Sequence, residues 1–345
     1  MLRDYELVSK VDIGVTTLDR PMCHAATIAE LPDGRLVAAW YEGSYELDKE
    51  SVIMMSTTEG ARISEPSLPP DWSWTTPRVV ASVPGLAVGN PVVFVTPQGT
   101  VVLFFVIVYG STWTSGKIAL QRITECGRTQ TSSPKTLSDM ADYADYADYA
   151  RPHLICNHEG WMTRNKPLVL GSDEWLLPIY DEALWCPMVL VTRDAGRTWR
   201  ECGDTTMYGV PIQPTLVELA DGRVMMLTRT NRGRVWSSYS YNRGLTWTVC
   251  QPTDLPNSDS GLDAVSTADG AILLCMNDAD RGRDRLVITE SRDDGSTWST
   301  RAIVDESRGG EVSYPAMVVG SDGLVHVAYT WQRMSIRHAV FRRQP

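Results

Sequence analysis

The chain has 345 residues, of which 43% are hydrophobic and 21% charged, a composition typical of a folded globular protein rather than a disordered or fibrous one. Its formal net charge of −10 argues against a nucleic-acid or membrane partner, because both need a basic surface, while a local arginine cluster can still bind a small acidic ligand. The sequence contains no zinc-ligand spacing, nucleotide-binding loop or cofactor fingerprint, so we expect neither a metal nor a cofactor.

Cysteine usage and the N-terminal residues indicate a compartment. The seven cysteines are an odd number without a Cys-x-x-Cys pair, so we expect free, buried thiols in a reducing environment. The N-terminal residues contain no apolar segment of signal-peptide length, and no apolar run long enough to span a membrane follows. We therefore expect a cytoplasmic protein; a secreted one would need a leader that precedes this sequence.

Six short turn signals, each followed by an apolar strand, divide the chain. They are Asp33-Gly34, Gln98-Gly99, Ser172-Asp173, Asp221-Gly222, Asp269-Gly270 and Asp322-Gly323. Each signal predicts a hairpin whose strands are joined by a two-residue turn. Because the chain has no convincing amphipathic helical stretch, we expect an all-β fold, a six-bladed β-propeller of four-stranded antiparallel blades formed as one domain from residues 1–345. A strand near residues 6–13 is expected to complete the last blade beside residues 335–341.

A second repeat has the pattern Ser/Thr-x-Asp-x-Gly-x-Thr-Trp. It occurs at residues 192–199 and 291–298, at 240–247 with Asn in place of Asp, and in degenerate form at 124–130 and 56–60. Asp or Asn followed by Gly favours a tight turn, and the Trp is expected to close the hairpin against its neighbours. Recurrence at this spacing indicates stacked or radial repeats.

Residues 139–150 form a low-complexity segment in which Asp-Tyr-Ala occurs three times from Asp142 onward. Its charge and small residues predict a solvated loop or short helix between the second and third blades. A tyrosine-rich binding arm is the alternative interpretation.

Both repeats together resemble the sialidase (neuraminidase) superfamily, and in particular bacterial-type BNR-repeat sialidase-like proteins, over nearly the whole chain. In that family the Ser/Thr-x-Asp-x-Gly-x-Thr-Trp turns are called Asp boxes and lie on the outer rim of a six-bladed propeller. The resemblance implies that three arginines hold the carboxylate of an acidic sugar, that a Tyr activated by a Glu is the nucleophile, and that an Asp is the acid/base. Function must therefore be argued from the residues near the propeller axis.

Three positions match the family's functional residues. Residues 218–229 align without gaps to the family's Glu-Leu-x-Asp-Gly strand pattern, which makes Arg229 similar to its second arginine. Arg283 resembles the third, with Arg281 and Arg285 as alternatives, because each precedes a strand that leads into an Asp box. Tyr314, at the start of the last predicted inner strand, resembles the nucleophile. A tyrosine hydroxyl needs a base and nearby cations to attack near neutral pH.

Two positions depart from the family. His24 stands at the place of the first arginine, and Gln213 stands at the place of the glutamate that activates the tyrosine. A glutamine cannot accept a proton, so one carboxylate contact and the usual base are both missing. Either Glu182 replaces the base or the chemistry differs.

The acid/base and the sugar-binding residues are expected in loops. The acidic loop at residues 41–50 offers Asp48, with Glu46 and Glu50 as substitutes. Segments 157–167 and 255–263 combine aromatic, amide and charged side chains, which suit stacking on a sugar ring and hydrogen bonding to its hydroxyls. The candidates in these segments are His158, Glu159, Trp161, Arg164, Asn165 and Asp263.

Three functions remain open from the sequence. The first is an exo-glycosidase that acts on a terminal acidic sugar, sialic acid or a relative, through Tyr314. The second is a lyase or hydrolase for uronic-acid glycans in which His24 and Tyr314 act as base and acid, since histidine titrates near neutral pH. The third is a propeller that binds glycans without catalysis. All three place an anionic sugar against arginine, and none fixes the linkage or the oligomeric state.

Overall fold

A computed structural model describes residues 4–59, 72–123, 152–202 and 209–344. The predictions for residues 124–130 and 139–150 lie outside the described residues, as do Gly60 and Cys126. Six antiparallel sheets form the blades of a β-propeller, which confirms the predicted fold. In the described residues the only helical element is a single 3-10 turn, Trp113–Ser115.

Blades I to III take up the first part of the chain. Blade I is β2 (Met22–Glu30), β3 (Leu36–Gly43), β4 (Val52–Thr57) and β5 (Arg78–Ala81). Blade II is β6 (Ala87–Val95), β7 (Val101–Val108), β8 (Gly116–Ile123) and β9 (His153–Leu154). Blade III is β10 (Trp161–Thr163), β12 (Trp175–Asp181), β13 (Cys186–Thr192) and β14 (Arg200–Cys202), and the short β11 (Leu168–Val169) also pairs with β12.

Blades IV to VI complete the ring. Blade IV is β15 (Pro211–Glu218), β16 (Val224–Thr230), β17 (Arg234–Ser240) and β18 (Gln251–Pro256). Blade V is β19 (Asp263–Ser266), β20 (Ile272–Asn277), β21 (Arg285–Ser291) and β22 (Ser299–Glu306). Blade VI is β23 (Val312–Val319), β24 (Val325–Trp331), β25 (Ser335–Arg343) and β1 (Tyr5–Val15).

The N-terminal strand closes the ring, as predicted. Strand β1 pairs antiparallel with β25, from Tyr5 opposite Arg343 to Val15 opposite Ser335. The last blade is therefore built from both ends of the described chain, so that its outer edge is covered by a strand from the opposite terminus.

The core lies between the blades. Strand β7 is buried along its full length because both faces of its sheet are covered, and it accordingly reads as a continuous apolar run. Its Phe105 packs with Val37 of blade I, whereas its Phe104 packs on the other side with Leu177 of blade III. Alternate side chains of one strand thus join two neighbouring blades, and the inner strands are fixed rigidly around the axis.

The predicted two-residue turns are wrong by one residue. In the first hairpin Leu31 N–H donates to Arg35 C=O over 2.7 Å and Gly34 N–H donates to Leu31 C=O over 2.9 Å, which leaves three residues in the loop. Gly34 has a φ of 80°, the left-handed conformation that closes a three-residue hairpin. Equivalent hydrogen bonds close the loops at residues 96–100, 219–223, 267–271 and 320–324.

The three best copies of the Ser/Thr-x-Asp-x-Gly-x-Thr-Trp motif join the third and fourth strands of blades III, IV and V. In the last copy the carboxylate of Asp293 accepts hydrogen bonds from Ser291 Oγ over 2.8 Å and from Thr297 N–H over 2.8 Å. Trp298 Nε1 donates to Gly295 C=O over 3.0 Å. These motifs therefore build turns on the outer side of the blades, where they stabilise the fold rather than take part in chemistry.

Six cysteines in the described ranges are free thiols, and all except Cys156 are buried. Within the same ranges no helix is long and apolar enough to cross a membrane.

Candidate active site

The inner strands of four blades carry a bulge at the same level of the propeller. The register of β2, β6, β15 and β23 shifts there, around residues that have left-handed backbones although they are not glycine. Those residues are Ala25 (φ 56°), Asn90 (φ 47°), Gln213 (φ 51°) and Tyr314 (φ 52°). A left-handed non-glycine residue is uncommon, and such residues concentrate at functional sites. The bulges turn the side chains at this level toward the axis.

A cavity of about 130 Å³ lies at this level, and two kinds of side chain line it. The aromatic and aliphatic lining residues are Tyr41, Trp113, Met162, Tyr180, Trp185 and Ile212. The other lining residues, which supply polar or charged groups, are His24, Glu46, Asn90, Glu182, Gln213, Arg229 and Tyr314. The sequence-predicted residues His24, Glu182, Gln213, Arg229 and Tyr314 thus come together in one place. A cavity with an apolar wall and a few convergent polar groups is the usual form of a small-molecule site.

Tyr314 has arginine side chains around it. Arg229 Nη1 donates to the Tyr314 hydroxyl over 2.6 Å and to Gln213 Oε1 over 3.1 Å, while Arg229 Nε donates to Asp259 Oδ1 over 2.8 Å. Three guanidinium groups surround the ring of Tyr314, at 5.2 Å for Arg164, 5.4 Å for Arg283 and 5.9 Å for Arg229. This arrangement concentrates positive charge around Tyr314 and favours an anionic ligand beside it.

The charge of Arg229 is strongly maintained. Burial lowers the pKa of this side chain, but the neighbouring Tyr314 and the hydrogen-bonded Asp259 raise the pKa by more, so that it ends above the usual arginine value. Arg229 therefore stays cationic at every pH at which the protein is folded.

Gln213 belongs to an amide–phenol cluster rather than to a proton-transfer pair. Its Nε2 donates to the Tyr180 hydroxyl over 3.3 Å, and Asn90 Nδ2 donates to the same hydroxyl over 3.3 Å. Burial and the adjacent Glu182 raise the pKa of Tyr180, so this phenol stays neutral. The cluster supplies hydrogen-bonding groups to the cavity but no base.

Two carboxyl groups line the cavity. Burial raises the pKa of Glu182 above the usual glutamate value, although the neighbouring Arg229 opposes the shift. A raised pKa brings a carboxyl group closer to the neutral range in which it can exchange protons. Glu46 accepts a hydrogen bond from Arg333 Nη1, and Arg333 Nε donates to Glu311 over 2.8 Å.

His24 lies against the nucleophile candidate. Its ring centroid is 4.3 Å from that of Tyr314, and only 3% of the residue is exposed. Burial, reinforced by Arg333 and Arg283, holds the pKa of His24 well below the usual histidine value, so the imidazole is neutral. Its Nδ1 has no hydrogen-bond partner among the described residues. A neutral imidazole does not supply the positive charge that the family resemblance leads one to expect at this position, and its lowered pKa makes it a weak base.

Arg333, which the sequence does not single out, places a cation on this side of the cavity. It follows β24 in a turn where its own backbone is left-handed, with a φ of 57°. Among the charged groups it has the largest effect on His24. The positive charge missing at position 24 is therefore present nearby, on a different blade.

Among the three rival arginines, Arg283 contacts the site. Its Nη2 donates to Asp259 C=O over 2.6 Å, and its Nη1 donates to Glu311 over 3.3 Å. Arg285 instead pairs with Glu306 over 3.0 Å, and Arg281 is exposed.

Asp48 does not line the cavity. Its carboxylate accepts hydrogen bonds from the backbone N–H groups of Ser44 over 2.7 Å and Glu50 over 3.0 Å. These bonds outweigh the effect of burial and lower the pKa of Asp48. Asp48 thus shapes the loop that presents Glu46, the alternative candidate for the acid/base, to the cavity.

The six candidates from segments 157–167 and 255–263, Arg164 included, also lie outside the cavity wall. Trp161 stacks on His158 with centroids 4.3 Å apart, and Glu159 pairs with Lys117 over 3.5 Å. Asn165 Nδ2 donates to Pro214 C=O over 2.9 Å. Asp263, 1% exposed, accepts hydrogen bonds from Lys166 Nζ over 2.6 Å and from Met317 N–H over 2.7 Å. The contacts of Asn165 and Asp263 join different blades.

Sequence reasoning missed Asn90, Tyr180, Asp259 and Arg333. One signal for Asn90 was available: Asn90-Pro91, Gln213-Pro214 and Tyr314-Pro315 repeat a residue–proline pair inside a predicted inner strand. Within sheets proline is confined to edge strands, strand starts and bulges, so its recurrence at the same place in three inner strands is a signal for a bulge in an edge strand. In the described residues no group of His, Cys, Asp and Glu is arranged to hold a metal ion.

Comparison with known proteins supports the architecture. No curated protein sequence matches the chain. The structure is similar to Hadza microbial sialidase Hz136, with a TM-score of 0.72 and 17% identity over 93% of this chain and 66% of that one. The leech intramolecular trans-sialidase, complexed with 2,7-anhydro-Neu5Ac, gives a TM-score of 0.72 and 11% identity over 97% of this chain and 70% of that one. A protein of unknown function from Dyadobacter fermentans gives a TM-score of 0.71 and 15% identity over 99% of this chain and 100% of that one.

At these identities the structural similarity shows the fold alone, and this chain spans about two thirds of the length of both sialidase chains. The sequence itself matches the BNR repeat-like domain over residues 34–327, which is most of the chain. The protein therefore belongs to the family of BNR repeat-like domains and has a sialidase-like propeller fold.

Proposed function

We propose that the protein is an exo-acting glycoside hydrolase that removes a terminal acidic sugar, sialic acid or a close relative, with Tyr314 as the nucleophile. The observation that carries the proposal is the contact of 2.6 Å between the Tyr314 hydroxyl and Arg229, inside a group of three guanidinium groups. The sugar carboxylate would lie against Arg229. Because a guanidinium can bind a carboxylate through two parallel hydrogen bonds, it also fixes the orientation of the ring.

Two carboxyl groups divide the proton transfers. In the first step Tyr314 Oη attacks the anomeric carbon and its proton passes to Glu46, whose carboxylate accepts a hydrogen bond from Arg333. Glu182, whose raised pKa lets it keep a proton closer to neutral pH, donates that proton to the departing oxygen, so that the leaving group departs as a neutral alcohol. In the second step Glu182 takes a proton from water, the water oxygen replaces the tyrosine, and Glu46 returns the proton to Tyr314. Gln213 fixes Arg229 and takes no proton.

A specific observation favours a second function, a uronic-acid lyase. His24 is neutral, packs on Tyr314 and keeps an unpartnered Nδ1. In that reaction His24 would remove the proton beside a uronate carboxylate held by Arg229, and Tyr314 would protonate the departing oxygen. The two functions share the arginine and differ in which group takes the first proton.

Two substrates separate these functions. A fluorogenic α-sialoside reports hydrolysis, and a uronic-acid oligosaccharide reports elimination through the ultraviolet absorbance of its unsaturated product. Hydrolysis predicts fluorophore release that Tyr314→Phe abolishes. Tyr45→Phe, the same change at an exposed tyrosine outside the cavity wall, should leave the release in place. Elimination predicts absorbance that His24→Ala abolishes. If neither product forms while sialic acid or glucuronate binds, and Arg229→Met weakens that binding, the protein is a glycan-binding propeller and the proposal is wrong.

A further inference from the structure

Arg164 is a buried cation directly below the cavity. It follows β10 in blade III and is 1% exposed. Burial lowers the pKa of its guanidinium. In the part of the chain that the structure describes, no carboxylate forms an ion pair with Arg164; Asp263, which acts on it most strongly, is bound to Lys166. A buried charge without a carboxylate is expensive, so its contacts must serve another purpose.

Those contacts are two backbone carbonyls on other blades. Arg164 Nη1 donates to Ala26 C=O over 3.2 Å, and Arg164 Nη2 donates to Pro315 C=O over 2.9 Å. One acceptor follows the left-handed Ala25 and the other follows the left-handed Tyr314. The side chain thus joins blade III to blades I and VI at the two bulges that present His24 and Tyr314.

Both bulges need external support. A left-handed backbone costs free energy in any residue other than glycine and persists only where its surroundings enforce it. At Tyr314 the following proline restricts the backbone further. A hydrogen bond to the carbonyl of Pro315 fixes the Pro315–Ala316 peptide, one residue beyond Tyr314, and the guanidinium lies 5.2 Å from the ring centroid of Tyr314.

We propose that Arg164 is a positioning residue, which holds the backbone of Tyr314 and the His24 bulge in the conformation that aims both side chains into the cavity. The two parallel donors of one guanidinium span both carbonyls, which a lysine cannot do. The catalytic effect of Arg164 rests on the proposed function. Its structural effect, on the conformation of Tyr314, can be measured without any substrate. The proposal differs from the sequence-based expectation that Arg164 binds the substrate.

The test combines a spectroscopic signal with kinetics. Isotope-labelled tyrosine gives an NMR signal for Tyr314 that is assigned by its loss in Tyr314→Phe, and its backbone carbon shifts report the left-handed conformation. In Arg164→Met we expect this signal to move or broaden and kcat on an acidic-sugar substrate to fall about 100-fold, the scale of loss from a small misplacement of a reacting group. KM should change much less, because Arg229 remains.

Two further variants make the outcome specific. Arg164→Lys keeps the charge but reaches only one carbonyl. We therefore expect kcat to fall about tenfold, a loss equivalent to one charged hydrogen bond. This variant replaces Arg164→Met if the latter does not fold. Lys166→Met removes another interior cation from the same segment, one that binds Asp263 and not a bulge. It should leave the Tyr314 signal unchanged.

The results separate the two proposals. An unchanged Tyr314 signal in folded Arg164→Met overturns the positioning role, whatever the activity. A shifted signal with an unchanged kcat also overturns it, because the position of Tyr314 would then not matter. If the wild-type protein turns over no acidic-sugar substrate, the proposed function fails, while the NMR comparison still decides whether Arg164 holds Tyr314. An equal kcat in Arg164→Lys and wild type would show that charge alone suffices and refute the two-carbonyl contact.

Discussion

Asp263 should be the most costly carboxylate to remove from this propeller. It is 1% exposed, and its two oxygens accept four hydrogen bonds. Oδ2 accepts from Lys166 Nζ and from Met317 N–H, and Oδ1 accepts from Thr215 Oγ1 and from Ala264 N–H. The donors come from blades III, IV, V and VI, so a single carboxylate holds four blades together below the cavity.

The variant Asp263→Asn keeps the shape and loses half of these contacts. If the new amide nitrogen replaces Oδ2, it faces two donors, the ammonium of Lys166 and the N–H of Met317, and neither retains an acceptor. An unsatisfied buried N–H costs about 1–3 kcal/mol, and a lost bond to a charged donor costs about 1.5–3 kcal/mol. Because Lys166 is 25% exposed and can recover some hydration, we expect a loss of about 3–4 kcal/mol in the free energy of unfolding.

Urea unfolding followed by tryptophan fluorescence measures this loss. The exposed Asp280 provides a matched control, since Asp280→Asn should change stability by about 0.5 kcal/mol or less. The double variant Asp263→Asn/Lys166→Met should lose less than the sum of the two single variants, because the ammonium that lacks an acceptor is then gone. A loss below about 1 kcal/mol for Asp263→Asn, with a folded protein, would refute the assignment of Asp263 as the contact between blades.

Three more predictions concern single residues. Burial holds the pKa values of His24 and His338 well below the usual histidine value. Below about pH 6.5 the unfolded chain therefore binds more protons than the folded protein does. The free energy of unfolding should be highest above that pH and should fall on acidification by up to about 1.4 kcal/mol per pH unit for each histidine. His338→Gln should reduce that slope in urea titrations at several pH values, and an unchanged slope would contradict the assignment. Hydrogen bonds from Thr198 lower the pKa of Asp194 to about 2. Thr198→Val should therefore raise the pH at which NMR shows the Asp194 carboxyl group to be half protonated. A midpoint that stays low would show that other contacts hold the turn. Gln213→Glu should raise kcat on a sialoside about 100-fold, because it supplies a base beside Tyr314. Gln213→Met is the control, and the absence of any gain in Gln213→Glu would count against the reaction with Tyr314 as nucleophile.

The features that could be predicted from the sequence depend on residues close together in the chain. A turn is determined by four or five consecutive residues, so Asp33-Gly34 and its five equivalents locate the hairpins, and the Asp boxes locate the outer turns. The length of the hairpin loop was wrong because an Asp-Gly pair suits both two-residue and three-residue loops. The position of Tyr314 near the start of the last inner strand agrees with the expectation from the family resemblance, whereas its role stays a prediction.

The contacts of the cavity could not be predicted in this way. Arg164 and Pro315 are 151 positions apart, and Glu46 and Arg333 are 287 apart. Whether such side chains meet depends on the tilt of each blade and on the level at which each inner strand bulges, which no short pattern encodes. Asp48 shows the opposite error: an acidic residue at a suggestive spacing is used by its own loop, through the N–H groups of Ser44 and Glu50.

The bulges separate the side chains that line the cavity from the strand pairing that holds the blades. Each inner strand is regular above and below the bulge, so the side chains that face the cavity are exchanged at single positions without altering the strand register that holds the blades. Gln213 and Tyr314 occupy such positions, and both are held by backbone contacts from blade III, through Asn165 to Pro214 and through Arg164 to Pro315. Blade III therefore acts as the support of the site. If the proposed function holds, a change of His24 or Gln213 should alter the proton transfers, whereas a change of Arg164 or Asn165 should alter the orientation of the side chains that the bulges present.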